Sequence, residues 1–134
     1  MKNKEKKTKK QNTPPSILNT FQKCPLSENF YVRGDEKWNP SQLIEYCKEQ
    51  CYCTFDLPLA AIDLTSLPWD NITSLDTFIW QMHRVLQCDT NHPIILDDYG
   101  QIADGYHRVC KAILDGKTTI KAIRMENMPP SPSK

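Results

Sequence analysis

The tripeptide His-Arg-Val occurs twice, in "QMHRVLQC" (81–88) and in "GYHRVCKA" (105–112). Histidine can donate or move a proton near neutral pH, and arginine can take a phosphate in a bidentate grip. Each pair could therefore serve anion chemistry, and context separates them. His83 and Arg84 fall in the middle of a regular helical pattern, His83 beside the apolar stripe and Arg84 nearly opposite, which predicts a surface pair. His107 and Arg108 follow Asp104-Gly105, where a strand pattern gives way to a helix. The first amides of a helix have no internal partners and carry partial positive charge, so such a start is a ready anion site. Gly105 allows a close backbone approach, and His107 and Arg108 add donors. The same residues also admit a plainer reading, because Asp-Gly before a helix is a common turn and an exposed His-Arg on a first turn can simply be solvated.

The six cysteines, Cys24, Cys47, Cys51, Cys53, Cys88 and Cys110, raise metal and disulfide chemistry next. No apolar segment follows the basic N-terminus, so no secretory signal is expected and the thiols are expected to stay reduced in a cytoplasmic setting. Cys47-x3-Cys51-x-Cys53 lacks the paired C-x2-C spacing that grips zinc, and no metal site is expected. Burial as small hydrophobes accounts for Cys47 and Cys51.

Charge limits the partners. Residues 1–10 hold six lysines against Glu5, a balance of +5, which leaves −4 on residues 11–134 for a chain of net charge +1. An acidic body argues against a broad nucleic-acid surface, whereas the Lys-rich tail could give weak, non-specific DNA contact or remain a solvated leader. The longest apolar runs fall far short of a membrane span.

The elements that must position the second His-Arg pair can be read in order. Residues 1–16 read as a disordered basic leader. Residues 17–56 read as an irregular extension with one helix, capped by Asn39 with Pro40 at its first position and placing Leu43, Ile44, Cys47 and Cys51 on one face. Arg33-Gly34-Asp35 lies in a turn there and receives no functional weight. "LPLAAIDL" (57–64) reads as a buried strand. A helix over 74–88, with a Thr73-x-x-Asp76 cap, sets Leu75, Phe78, Ile79, Met82 and Leu86 at core-facing spacing. "PIIL", "DDYG" and "QIAD" read as a hairpin over 93–104. A helix over 106–116 closes at Gly116, residues 119–125 alternate like an edge or half-buried strand, and 126–134 read as an open tail.

The segment "HPIILDDYGQIADGYHRVCKAILDGKTTIKAIRM" resembles the signature region of the ParB/sulfiredoxin superfamily, in which a strand pair leads into Asp-Gly-x-His-Arg, a helix and a final strand. With "LPLAAIDLTSLPWDN" and the helix before it, the resemblance spans residues 57–125 and is similar especially to short, stand-alone bacterial ParB-like proteins. It implies a small α+β domain, a mixed sheet with packed helices, that handles a nucleotide or phosphate at residues 104–108. Members include ATP-using sulfiredoxins, free-serine kinases, CTP-binding partition proteins and ParB-like nucleases. Tyr106 stands where sulfiredoxins carry their nucleophilic cysteine, and partition proteins have Arg-Arg in place of His107-Arg108 and add a helix-turn-helix domain for which no sequence follows residue 125. Those two activities are therefore not expected. The implied ligand is a nucleoside triphosphate, ATP or CTP, with magnesium. Gly105, Tyr106, His107 and Arg108 would hold the phosphates, assisted by Lys111, and His107 would donate a hydrogen bond that strengthens during transfer. Asp104 or Asp70 would supply a carboxylate as base or metal ligand, although each is also an ordinary turn or cap residue. A DNA-associated protein of a mobile element and a regulatory module without catalysis remain the alternatives.

Overall fold

The computed structural model describes residues 17–20 and 30–132. The expected leader, its lysines and Cys24 lie outside the described residues. Among those described, three helices and a mixed sheet form a small α+β domain, as expected.

After a 3-10 turn at Ile17–Thr20, the strands β1 (Tyr31–Arg33) and β2 (Glu36–Trp38) form an antiparallel hairpin around Gly34. Helix α1 (Pro40–Glu49) follows, started as expected by Asn39, whose side chain accepts from the Gln42 amide at 2.8 Å. Next come β3 (Phe55–Pro58), a 3-10 turn at Leu59–Ala61 and helix α2 (Leu75–Gln87). The hairpin β4 (Ile94–Leu96) and β5 (Ile102–Asp104) leads into helix α3 (Tyr106–Leu114), and β6 (Thr119–Arg124) completes a four-stranded sheet in the order β3-β6-β4-β5. β6 runs antiparallel to β3 and parallel to β4.

Side chains alternate across a strand, so the sheet feeds two cores. Ile94, Leu96, Ile102, Ile120 and Ala122 meet Leu59 and the inward residues of α3, Val109 and Ala112. On the other face Ile95 and Ala103 meet Trp38, Leu43, Cys47 and Met125. Both faces of β4 are buried, which explains why "IIL" is a continuous apolar run.

Several expectations are corrected. The apolar run 57–64 does not make a buried strand: β3 covers Phe55–Pro58 at the sheet edge, and Leu59 reaches the core from the 3-10 turn. β6 is an interior strand. Of the two readings, edge or half-buried, the second holds: Ile120 and Ala122 are buried, while Lys121 on the other side is exposed and pairs with Asp56 on β3 at 2.8 Å. The cap of α2 is Ser74, not Thr73, with Thr77 completing a capping box and Asp76 bonded to the Ser74 hydroxyl. Its apolar stripe does not face the core: Leu75 and Leu86 are 73% and 60% exposed, Phe78 and Ile79 are exposed too, and the helix buries Thr77, Gln81 and Val85 instead. On α1, Ile44 is exposed and Cys51, past the helix end with φ +56°, is exposed as well.

The segment read as an open tail is a strap. The Trp38 indole donates to the Pro129 carbonyl at 2.8 Å, Gln42 Nε2 donates to the Pro130 carbonyl, and Ser131 exchanges two hydrogen bonds with the Lys37 backbone. Residues 30–56 likewise share the second core with the sheet.

Candidate functional site

Only Gly105 separates β5 from α3. Its φ is +121°, and a Cβ there would lie 2.5 Å from Ile94 Cγ2 and 2.7 Å from Ile94 Cβ, so the turn excludes every other residue. A glycine has no side chain with which to cap a helix. The bond from the Val109 amide to the Gly105 carbonyl, 3.0 Å, is the first of the helix, so the Tyr106, His107 and Arg108 amides have no acceptor within it.

Two cavities meet at this start. The larger, about 550 Å³, is walled by Phe30 and Tyr31 from the hairpin, by Trp69 and Asp70 from the loop before α2, and by Tyr106. The second, about 470 Å³, is bordered by Arg84 from α2, Cys88 just past its end, Ile44 from α1, and Arg108. Asp104, Gly105 and His107 border both. The first is aromatic with two carboxylates, Asp70 and Asp104. The second carries two guanidinium groups.

His107 is fixed between them. Its ring stacks on Trp69 at a centroid distance of 4.6 Å, and Nε2 lies 2.7 Å from Gln81 Oε1. An amide oxygen can only accept, so Nε2 carries the proton and Nδ1 keeps the lone pair. Gln81 is fully buried and its Nε2 points to Asn71 Oδ1 at 3.4 Å, which orients the amide. Burial, reinforced by the positive charges of Arg84 and Arg108, pushes the imidazole pKa down to about 4, so the ring is neutral at pH 7. His107 therefore cannot be the donor to phosphate that its position suggests. Its Nε2 proton is committed to Gln81, and what remains is an acceptor.

Arg108 is partly committed as well. Nη2 donates to Asp104 Oδ2 at 3.1 Å and to the Pro93 carbonyl at 3.2 Å, tying the helix start to β4 and β5. Its Nε is buried without an acceptor among the described residues. Asp104 serves as a partner of Arg108, whereas Asp70 is exposed at the cavity wall. Lys111 is not at the site, since it pairs with Asp115 at 3.1 Å one turn further along α3 and borders neither cavity. The structure thus brings together Asp70, Asp104, Gly105, Tyr106, His107 and Arg108, and leaves Lys111 out.

Three contributors escaped the sequence reading. Arg84, expected on the surface, is half-buried and borders the second cavity, because α2 turns its Gln81 face inward. Gln81 looks like any polar helix residue until His107 is placed against it. The hairpin wall is secured by Tyr31, whose hydroxyl donates to the buried Asp97, and by Arg33, which pairs with Asp98 at 2.6 Å and lies over the Tyr99 ring. Burial and the Asp97 contact push the Tyr31 phenol pKa up, so the hydroxyl keeps its proton. Asp97 in turn accepts the Tyr99 and Gln101 amides, which closes the β4–β5 turn and fixes the point to which Tyr31 is tied.

Cysteine chemistry gains no support at this point. The five described cysteines are free thiols, burial pushes the pKa values of Cys47, Cys88 and Cys110 up, and no group of three or more metal-ligating side chains occurs among the described residues. No described helix is long and apolar enough to cross a membrane. No family model, curated protein or solved structure matches the chain.

Proposed function

We propose that this protein binds a nucleotide across the start of α3. The observation that carries the reading is the uncapped helix start set between an aromatic cavity and a cationic one. A base and ribose suit the first cavity, where Tyr106 and Phe30 offer partly exposed rings and Asp70 offers an acceptor for hydroxyls or an exocyclic amine. Phosphates suit the helix start and the second cavity, where the Tyr106 and His107 amides, without acceptors in the helix, carry partial positive charge and Arg84 and Arg108 supply full charge. The resemblance of residues 57–125 to the ParB/sulfiredoxin superfamily points the same way.

Magnesium fits this reading in a limited sense. It is commonly held by one or two carboxylates together with the phosphates, and Asp70 and Asp104 border one cavity. Asp70 and Asp104 would hold it, and its charge would offset that of the phosphates. The protein's own groups would position the phosphates, and the neutral His107 would offer Nδ1 as a hydrogen-bond acceptor and not as a donor. Phosphoryl transfer or hydrolysis is the reaction class this arrangement suits, since such chemistry depends chiefly on positioning and charge stabilisation.

The test is a thermal-shift comparison of ATP, CTP, GTP and ADP with magnesium, on the wild type and on Arg84→Gln. A ligand at one hundred times its dissociation constant stabilises the folded state by about 2.7 kcal/mol. One nucleotide should raise the transition of the wild type, with a weaker effect on Arg84→Gln. If none shifts the wild type, the reading is wrong. Release of inorganic phosphate from a binding nucleotide then separates an enzyme from a binding module.

A further inference from the structure

Helix α2 turns an apolar stripe to solvent. Leu75 and Leu86 are largely exposed, Ile79 is exposed between them and Met82 is half-buried, while Thr77, Gln81 and Val85 hold the opposite side of the helix to the rest of the protein. Residues three and four apart are neighbours on a helix surface, so the four side chains form one continuous strip. Folded proteins rarely leave such a strip open to water unless something docks on it. The strip lies away from Gln81 and Arg84, and what covers it is a question separate from the nucleotide reading.

The spacing and the polar flank identify the occupant. Leu75, Ile79, Met82 and Leu86 follow one another at four, three and four residues, the d-a-d-a order of a helix seam. That order is the same read backwards. A stripe of this symmetry fits a second copy of itself running the opposite way, with Leu75 against Leu86 and Ile79 against Met82, and a two-fold axis repeats each layer. Asp76 and His83 are one heptad apart on one side of the stripe, where an antiparallel pair sets Asp76 of each copy beside His83 of the other. Asp76 takes the Ser74 hydroxyl at Oδ1, which leaves Oδ2 to accept an imidazole N–H. Antiparallel helices also oppose their dipoles favourably, whereas a parallel pair would stack Leu75 on Leu75 and keep Asp76 apart from His83. We infer that this protein forms an antiparallel two-fold dimer through the outward face of α2.

The test is sedimentation velocity on the full chain from about 5 to 500 µM, where a contact of this modest size should show a monomer–dimer equilibrium. Leu75→Glu and Leu86→Lys are made as two separate variants. Both positions are exposed, and each new charge sits at the helix end whose dipole favours it, so the fold is kept, as circular dichroism checks. Each variant alone should dissociate about a hundredfold more readily than the wild type, because two leucine contacts are lost per dimer. Mixed in equal amounts they should pair again, since the introduced carboxylate and ammonium then share one layer and the other layer keeps both leucines. A wild type that stays monomeric throughout, whether its stripe is open or covered by another part of the same chain, overturns the inference. So does a single variant that dimerises like the wild type, or a mixture that pairs no better than its components.

Discussion

Replacing Gly105 by alanine tests the turn on which the candidate site depends, and two other glycines supply the control. All three positions have positive φ, +121° at Gly105, +64° at Gly34 and +80° at Gly116, so alanine is strained at each by about 1–2 kcal/mol. At Gly34 and Gly116 an added Cβ meets nothing within 4 Å, so that backbone cost is the whole effect. At Gly105 the added carbon meets Ile94 at 2.5 Å, and Ile94 is fully buried in β4. The contact is with a branched core side chain close to its backbone and not with a flexible tip, so β4 and α3 must separate. Overpacking of this kind adds about 1–3 kcal/mol. Gly105→Ala should therefore cost about 2–5 kcal/mol in urea unfolding, against about 1–2 kcal/mol for Gly34→Ala or Gly116→Ala. Should Gly105→Ala cost no more than Gly116→Ala, the close packing of the α3 start against Ile94 is not as described.

Two further outcomes follow from the same geometry. His107 stays neutral down to about pH 4 when folded but takes a proton near pH 6.5 when unfolded, so the unfolded chain binds more protons between these values; its contribution is complete above about pH 6.5 and is lost as pH falls toward 4. Allowing for solvent screening at a partly exposed ring, wild type should lose about 1–2 kcal/mol more than His107→Gln across that window in urea titrations, and equal slopes would show that the ring is not held neutral. Trp38→Phe keeps an aromatic ring but removes the indole N–H and strands the buried Pro129 carbonyl, costing about 1–3 kcal/mol and freeing residues 126–131 for early cleavage in limited proteolysis. A variant with the protection of the wild type would mean that the indole bond does not hold the strap.

The parts of the fold legible in sequence are those whose signals are local. Asn39-Pro40 specifies a helix start through one side chain and one fixed φ, and it appears where expected. Asp97 to Gly100 specifies a tight turn, and Gly105 specifies a backbone conformation that few residues reach; both are placed correctly. β3 failed because an apolar run states that residues will be buried without stating in what conformation, and Leu59 is buried from a 3-10 turn. The strap failed because its signal is a distant one: nothing in Met128-Pro129-Pro130 reveals that Trp38 will present an indole N–H to it.

Helix α2 shows the deeper limit, and it bears on the site. Periodicity marks a helix with one apolar side, and the core is ordinarily assigned to that side. Here the helix is correct and the assignment largely fails, with Leu75, Ile79 and Leu86 outward, Met82 half-buried, and Gln81 inward beside Val85. His107 supplies a physical reason. A neutral imidazole buried beside two arginines needs an acceptor for its Nε2 proton, and an orphaned buried N–H would cost about 1–3 kcal/mol. Turning α2 so that Gln81 meets that proton also carries Arg84, three residues on and adjacent on the helix surface, to the cavity that Arg108 borders. The two His-Arg-Val copies are thus neither repeats nor independent. The second supplies the histidine that draws in the Gln81 face of α2, and the first supplies an arginine that arrives with it. Hydrophobic periodicity could not show this, because the Gln81–His107 contact on the inward face is polar and joins residues 26 apart in sequence.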